Sequence, residues 1–111
     1  MDFEVSVVEH AGPYSVIAVR GEVDLHTAPK VESAIERETN GVGAVVVDLG
    51  GITFMDSTAL SMLMRAKGFL EEQNVSLRLA APSQAVDRIF GVTGFGEYFD
   101  IYPSRDAAIT C

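Results

Sequence analysis

The side chains able to do chemistry in this 111-residue chain concentrate in one short stretch. Asp56-Ser57-Thr58 sets a carboxylate and two hydroxyls in a row, directly before a helical pattern that opens at Ala59-Leu60. Asp56 or Ser57 can accept a backbone N–H at the start of that helix, and a cap alone would explain both residues. Two features strain the capping reading. Three hydrogen-bonding side chains in succession exceed what one cap needs, and the large apolar pair Phe54-Met55 precedes them in a segment expected to be an exposed loop. Two further carboxylates, Asp24 and Asp48, fall at or just beyond predicted strand ends. That is the rim on which open α/β sheets place their sites, although turns and caps use the same residue type there.

Other chemistry has no foothold. His10 and His26 lie far apart without metal-ligand spacing, and His26 reads as an exposed residue of the loop before the first helix. No G-x-S-x-G elbow and no Walker A segment occurs. Gly91, Gly94 and Gly96 run in the reverse order of a dinucleotide fingerprint and follow a helix, so they read as helix-terminating glycines. The lone Cys111 builds neither a disulfide framework nor a metal cage. Asp48, closing AVVVDL, is similar to the phosphate-accepting aspartate of receiver domains. A receiver's acidic pair and later lysine are not evident, which favours a turn or cap residue. The expectation is a protein without cofactor, metal or enzymatic activity.

Charge points the same way. Sixteen acidic against eight basic side chains give a net charge of -8, with no two Lys or Arg adjacent. Such a surface repels phosphate backbones and anionic lipid, so no nucleic-acid partner is expected. No apolar run approaches the ~20 residues of a membrane helix, so no membrane insertion is expected. MDFEVSVVEH lacks the pattern of a secretory signal, and the chain is read as cytoplasmic.

The elements that must position Ser57 follow from periodicity. Residues 3–9 alternate, with Phe3, Val5 and Val7 inward; 10–13 turn; 14–20 form a second, antiparallel strand. Thr27 is the predicted cap, and Pro29 the first-turn residue, of a helix that buries Ala28, Val31, Ala34 and Ile35 and ends at Asn40-Gly41. Residues 44–49 form a strand buried on both faces, and Gly50-Gly51 a turn. A long helix runs to about Gln73, with Leu60, Leu63, Met64, Lys67 and Leu70 on its core face. Thr58, Met62, Arg65 and Phe69 trace the neighbouring face, where Met62 and Phe69 suit either a wider core contact or a docking surface. A strand at 75–80, a helix opened by Pro82-Ser83 and closed near Gly91 or Gly94, a strand at 98–102 and a turn capped by Ser104 complete the order ββαβαβαβα. The reading is α/β, one domain over 1–111: a mixed, mostly parallel sheet with an N-terminal antiparallel hairpin, covered by helices.

Three segments in that order resemble the STAS-domain anti-sigma factor antagonists, or anti-anti-sigma factors. They are Gly21-Glu22-Val23-Asp24, VVVDLGGITFMDSTAL at 45–60 and LAAPSQAVDRIFGVTGF at 79–95. The resemblance implies a protein, monomeric when free, that binds an anti-sigma factor with serine kinase activity and so releases a sigma factor. It implies phosphorylation of Ser57, with Thr58 the second choice, which prevents that binding, and a serine phosphatase that restores it. It further implies a partner-binding surface drawn from Glu22, Asp24, Phe54, Met55, Asp56, Thr58, Met62, Arg65 and Phe69. One departure stands out: Ala59 replaces the family's usual glycine and sets a methyl where a kinase loop or partner backbone would approach. The same domain also serves as a non-phosphorylated binding subunit of lipid or membrane-transport complexes. In that alternative Ser57 is only a cap.

Overall fold

The computed structural model describes residues 3–110, so Cys111 lies outside the described residues. The two alternating segments form a hairpin, β1 (Phe3–Ala11) and β2 (Tyr14–Val23), which pair in antiparallel fashion. His10 and Ala11 still pair, with Ser15 and Tyr14, so the turn is only Gly12-Pro13 and not the whole of 10–13. The alternation holds for Phe3 and Val5 but not for Val7. One extra residue, Val8, interrupts the register between Val7 and Glu9, and both valines are exposed. A bulge of this kind turns the strand's side chains out of phase.

Three strands follow parallel to β2: β3 (Ala44–Met55), β4 (Ser76–Ala80) and β5 (Asp100–Tyr102), giving the sheet order β1-β2-β3-β4-β5. The helices between and after them are α1 (Ala28–Glu36), α2 (Ser57–Glu72), α3 (Gln84–Thr93) and α4 (Arg105–Ile109). A 3-10 turn at Phe95–Tyr98 holds Gly96 and shortens the last strand to three residues. This is the predicted ββαβαβαβα order and mixed sheet.

Period-two alternation separates two cores. Ile17, Val45, Val47 and Leu79 face α1, α2 and α3, whereas Val16, Val46 and Ala80 face Ala108 of α4. β3 is therefore buried on both sides, as its unbroken apolar run implies.

The main departure lies in β3. Gly50-Gly51 does not turn the chain; the strand continues to Met55. Along β2 the pairing steps from Ala18↔Asp48 to Arg20↔Gly51, and from Gly21↔Ile52 to Glu22↔Phe54, so β3 twice carries an extra residue. The glycines are needed for close approach. A Cβ on Gly51 would lie 3.1 Å from both Arg20 Cγ and the Val19 carbonyl, and one on Gly50 3.1 Å from Asp48 Oδ1. Gly50-Gly51 thus marks a bulge, not a turn.

Helix ends are set locally. α1 stops at Glu36, short of Asn40-Gly41. α3 runs past Gly91 and ends at Gly94, whose φ of 75° suits glycine. Ser83 and Ser104 accept the N–H groups of Val86 and Ala107, as expected of N-caps.

Candidate functional site

β2 and β3 end together, with Val23 paired to Met55, and each strand then delivers an aspartate to the rim of the sheet. Asp24 Oδ1 accepts the N–H groups of His26 (2.9 Å) and Thr27 (3.1 Å). Thr27 makes no side-chain cap to α1; its hydroxyl donates to the Glu22 carbonyl (2.8 Å) and accepts the Asp24 N–H (2.9 Å). The loop is thus organised by Asp24, which corrects the expected Thr27 cap. The Thr27 N–H above all holds the Asp24 carboxyl below its ordinary value. His26 is exposed, as expected.

Asp56, not Ser57, caps α2: its Oδ1 accepts the Ala59 N–H at 3.1 Å. Ser57 is the first residue of the helix and exposed, and its hydroxyl makes no hydrogen bond among the described residues. Thr58 beside it is half-buried. Ala59 is fully buried in the main core. Its methyl therefore points into the protein, not toward an approaching partner, and the steric concern raised by the missing glycine disappears.

The apolar surroundings of Ser57 differ from expectation in three places. Met55 ends a strand instead of lying in a loop and is buried, so only Phe54 of the pair faces solvent, at 46% exposure. Met62 is buried in the core, which corrects its reading as docking surface; Met64, assigned to the core face, is exposed instead. The buried set on α2 is Ala59, Leu60, Met62, Leu63, Ala66 and Leu70, a stripe widened by the two alanines. Phe69 is exposed at 36%. Arg65 is exposed but held by α1, donating from Nε (3.3 Å) and a terminal nitrogen (3.1 Å) to Glu32. That pairing raises the Arg65 pKa. At ~1.5 Å per residue, Arg65 and Phe69 sit roughly 12 and 18 Å along the helix from Ser57. The structure gathers Glu22, Asp24, Phe54, Asp56, Ser57 and Thr58 at the rim; Arg65 and Phe69 extend along the helix away from it.

Asp48 lies within β3 and not at its end. Its two carboxylate oxygens are taken up by the Gly50 N–H (2.8 Å) and by Arg105 of α4. It locks α4 to the sheet and is not a free phosphate acceptor.

Two apolar residues escaped the sequence reading. Leu25, next to Asp24, is 66% exposed, and Val92 of α3 is 82% exposed. Val92 borders a groove of about 280 Å³ between the end of β3 and α3, lined also by Thr53, Phe54, Met55, Ala85, Arg88 and Ile89. The signal was present: Val86, Ile89 and Phe90 already supply the core stripe of α3, so Val92 is surplus to it. Among the described residues no cluster of three His, Cys, Asp or Glu side chains suits a metal ion, and no helix is long and apolar enough to cross a membrane.

Comparison with known proteins matches residues 4–108 to the STAS domain family. The chain is 32% identical over 102 residues to the anti-sigma-B factor antagonist of Listeria monocytogenes, covering 91% of this chain and 90% of that protein. A crystal structure of an anti-sigma factor antagonist from Mycobacterium paratuberculosis superposes with a TM-score of 0.84 at 32% identity, over 98% of this chain and 92% of that one. The unphosphorylated form of the anti-sigma factor antagonist SpoIIAA, a Bacillus cell fate determinant, superposes with a TM-score of 0.74 at 23% identity, over 97% and 93%. That last likeness is one of fold.

Proposed function

We propose, from the premise that the chain belongs to the STAS-domain family of anti-sigma factor antagonists, that it binds an anti-sigma factor through the rim around Ser57. The protein is a regulator and not an enzyme. Binding releases the sigma factor that the anti-sigma factor would otherwise hold. Phosphorylation of Ser57 by the partner's serine kinase activity ends the binding, and a serine phosphatase restores it.

The observation that carries this reading is the state of Ser57. Its hydroxyl is exposed and uncommitted at the first position of α2, because Asp56 already provides the cap. Exposed Phe54, next to last in the strand before it, and Leu25, on the adjoining loop, supply an apolar setting that a partner would cover. A phosphate there adds about -1.5 to -2 charges. The helix N-terminus accommodates that charge, so the fold need not change. A desolvated partner surface does not accommodate it, and the Asp56 carboxylate adds repulsion. A loss of about 2.7 kcal/mol is already a hundredfold in affinity. The switch is local and electrostatic.

The test isolates the protein from its source organism, maps phosphate by mass spectrometry and identifies co-purifying proteins. The expected result is phosphate on Ser57 and an anti-sigma factor bound to the unmodified form, lost in Ser57→Asp and kept in Ser57→Ala. Ser57 unmodified under every condition, with membrane-transport subunits attached instead, overturns the reading. So does a phosphorylated form whose backbone amide shifts spread far beyond residues 52–62.

A further inference from the structure

We propose that the groove between the end of β3 and α3 receives a segment of the anti-sigma factor that carries apolar side chains and a carboxylate, the carboxylate pairing with Arg88. This rests on the reading of the Ser57 rim as the anti-sigma binding surface. The groove is continuous with that rim: Phe54 and Met55 line it, and the chain runs from them through Asp56 directly into Ser57. A partner seated over Ser57 and Phe54 therefore reaches the groove through Phe54, which belongs to both. At about 280 Å³ and open to solvent, it falls short of the enclosed volume that small-molecule sites use. Side chains projecting from a docked segment suit it better.

The lining selects the segment. Val92 stands 82% exposed at one border, and Ile89 and Ala85 continue the apolar wall along α3. Arg88 lies among them, exposed, and its guanidinium makes no ion pair or hydrogen bond among the described residues. An unpaired guanidinium beside apolar surface is the composition of an interface anchor. The chain's net charge of -8 repels an acidic segment over most of its surface. Within the groove, Arg88 gives such a segment a place to land, and so fixes its register.

The experiment titrates the purified chain with the anti-sigma factor recovered alongside it, comparing wild type, Ser57→Asp, Arg88→Glu and Val92→Ser. Both groove side chains are exposed, and circular dichroism checks that the variants fold. Arg88→Glu is expected to weaken binding about tenfold or more, and Val92→Ser several-fold. A photo-crosslinker placed at position 92 is expected to capture a partner segment containing Asp or Glu, and charge reversal of that residue to rescue Arg88→Glu. If the anti-sigma factor binds and Ser57→Asp weakens it, yet both groove variants match wild type, the groove proposal is overturned and the Ser57 reading stands. A captured segment without a carboxylate overturns the pairing with Arg88. If no anti-sigma factor binds the wild-type chain, the Ser57 reading falls and takes the groove with it.

Discussion

Val23 and Met55 are paired as the last residues of β2 and β3, so the two strands leave the sheet side by side and each continues into an aspartate. The two carboxylates then do the same kind of work on neighbouring loops. Asp24 gathers the N–H groups of His26 and Thr27, and Asp56 takes that of Ala59. Both turns are closed by charged acceptors, which form stronger hydrogen bonds than neutral ones. Ser57 is thereby presented from a rim whose two turns are each closed by a carboxylate hydrogen bond. A charge added to it acts on whatever covers the rim.

The capping role of Asp56 predicts its own mutational signature. Asp56→Ala removes the acceptor of the Ala59 N–H and is expected to lower stability by about 1 kcal/mol. Asp56→Asn keeps an acceptor oxygen and is expected to lose only a fraction of that. Urea unfolding with an unchanged m-value measures both. An Asn variant as unstable as the Ala variant would show that charge, not the hydrogen bond, carries the effect.

Ala59 gives the second prediction. Its methyl is fully buried and its backbone lies in the first turn of α2. Ala59→Gly is expected to destabilise the chain by about 1 kcal/mol from helix propensity alone. The lost core methyl adds about 0.8 kcal/mol. Phosphorylation of Ser57 is expected to proceed at an unchanged rate, because the methyl does not face outward. A several-fold faster rate in the glycine variant would contradict the buried placement.

Met62 and Phe69 separate core from surface by experiment. Met62→Ala empties a fully enclosed site and is expected to cost about 2–5 kcal/mol, read as a fall in the thermal midpoint. Phe69→Ser changes a partly exposed side chain and is expected to stay within about 1 kcal/mol of wild type. Equal losses would place both in the core.

These two residues also show what was legible in the sequence. Helical spacing alone put Met62 and Phe69 on one face, beside a face assigned to Leu60, Leu63 and Met64. Spacing identifies a stripe but not its width. Width depends on how closely the helix approaches the sheet, and the small Ala59 and Ala66 let α2 settle deep enough to enclose Met62. The element order, both hairpin strands and the caps at Ser83 and Ser104 were readable because each rests on local chemistry. Gly50-Gly51 was misread because a bulge and a turn ask for the same residue. The neighbouring Val19, Arg20 and Ala81 distinguish them, and those contacts come from elsewhere in the chain. The Asp56-Ser57 segment was legible for the same reason as the caps. The groove beside Phe54 was not, since it joins β3 to a helix some thirty residues later in the chain.

The final prediction concerns pH and a cluster remote from Ser57 in sequence. Ser15 is fully buried, and its hydroxyl donates to Glu38 Oε1 at 2.6 Å, with His10 Nε2 3.2 Å from the same oxygen. The Ser15 hydroxyl above all, and then His10, hold the Glu38 carboxyl below its ordinary value of 4.5. A carboxyl whose folded value is depressed binds its proton more readily in the unfolded chain. Its stabilisation is present above the ordinary glutamate range and is lost as pH falls through the folded value. Glu36 carries the opposite sign: burial raises it, so its contribution is lost as pH rises. Glu38→Gln keeps an acceptor for Ser15 and removes the titrating group, and is expected to flatten the acid limb of stability against pH. Glu38→Ala strands a buried hydroxyl and is expected to cost about 1–3 kcal/mol at neutral pH. Urea midpoints measured between about pH 3 and pH 7 test both. An acid limb equally steep in wild type and Glu38→Gln would assign it to other carboxylates, such as Asp24 with its lowered pKa.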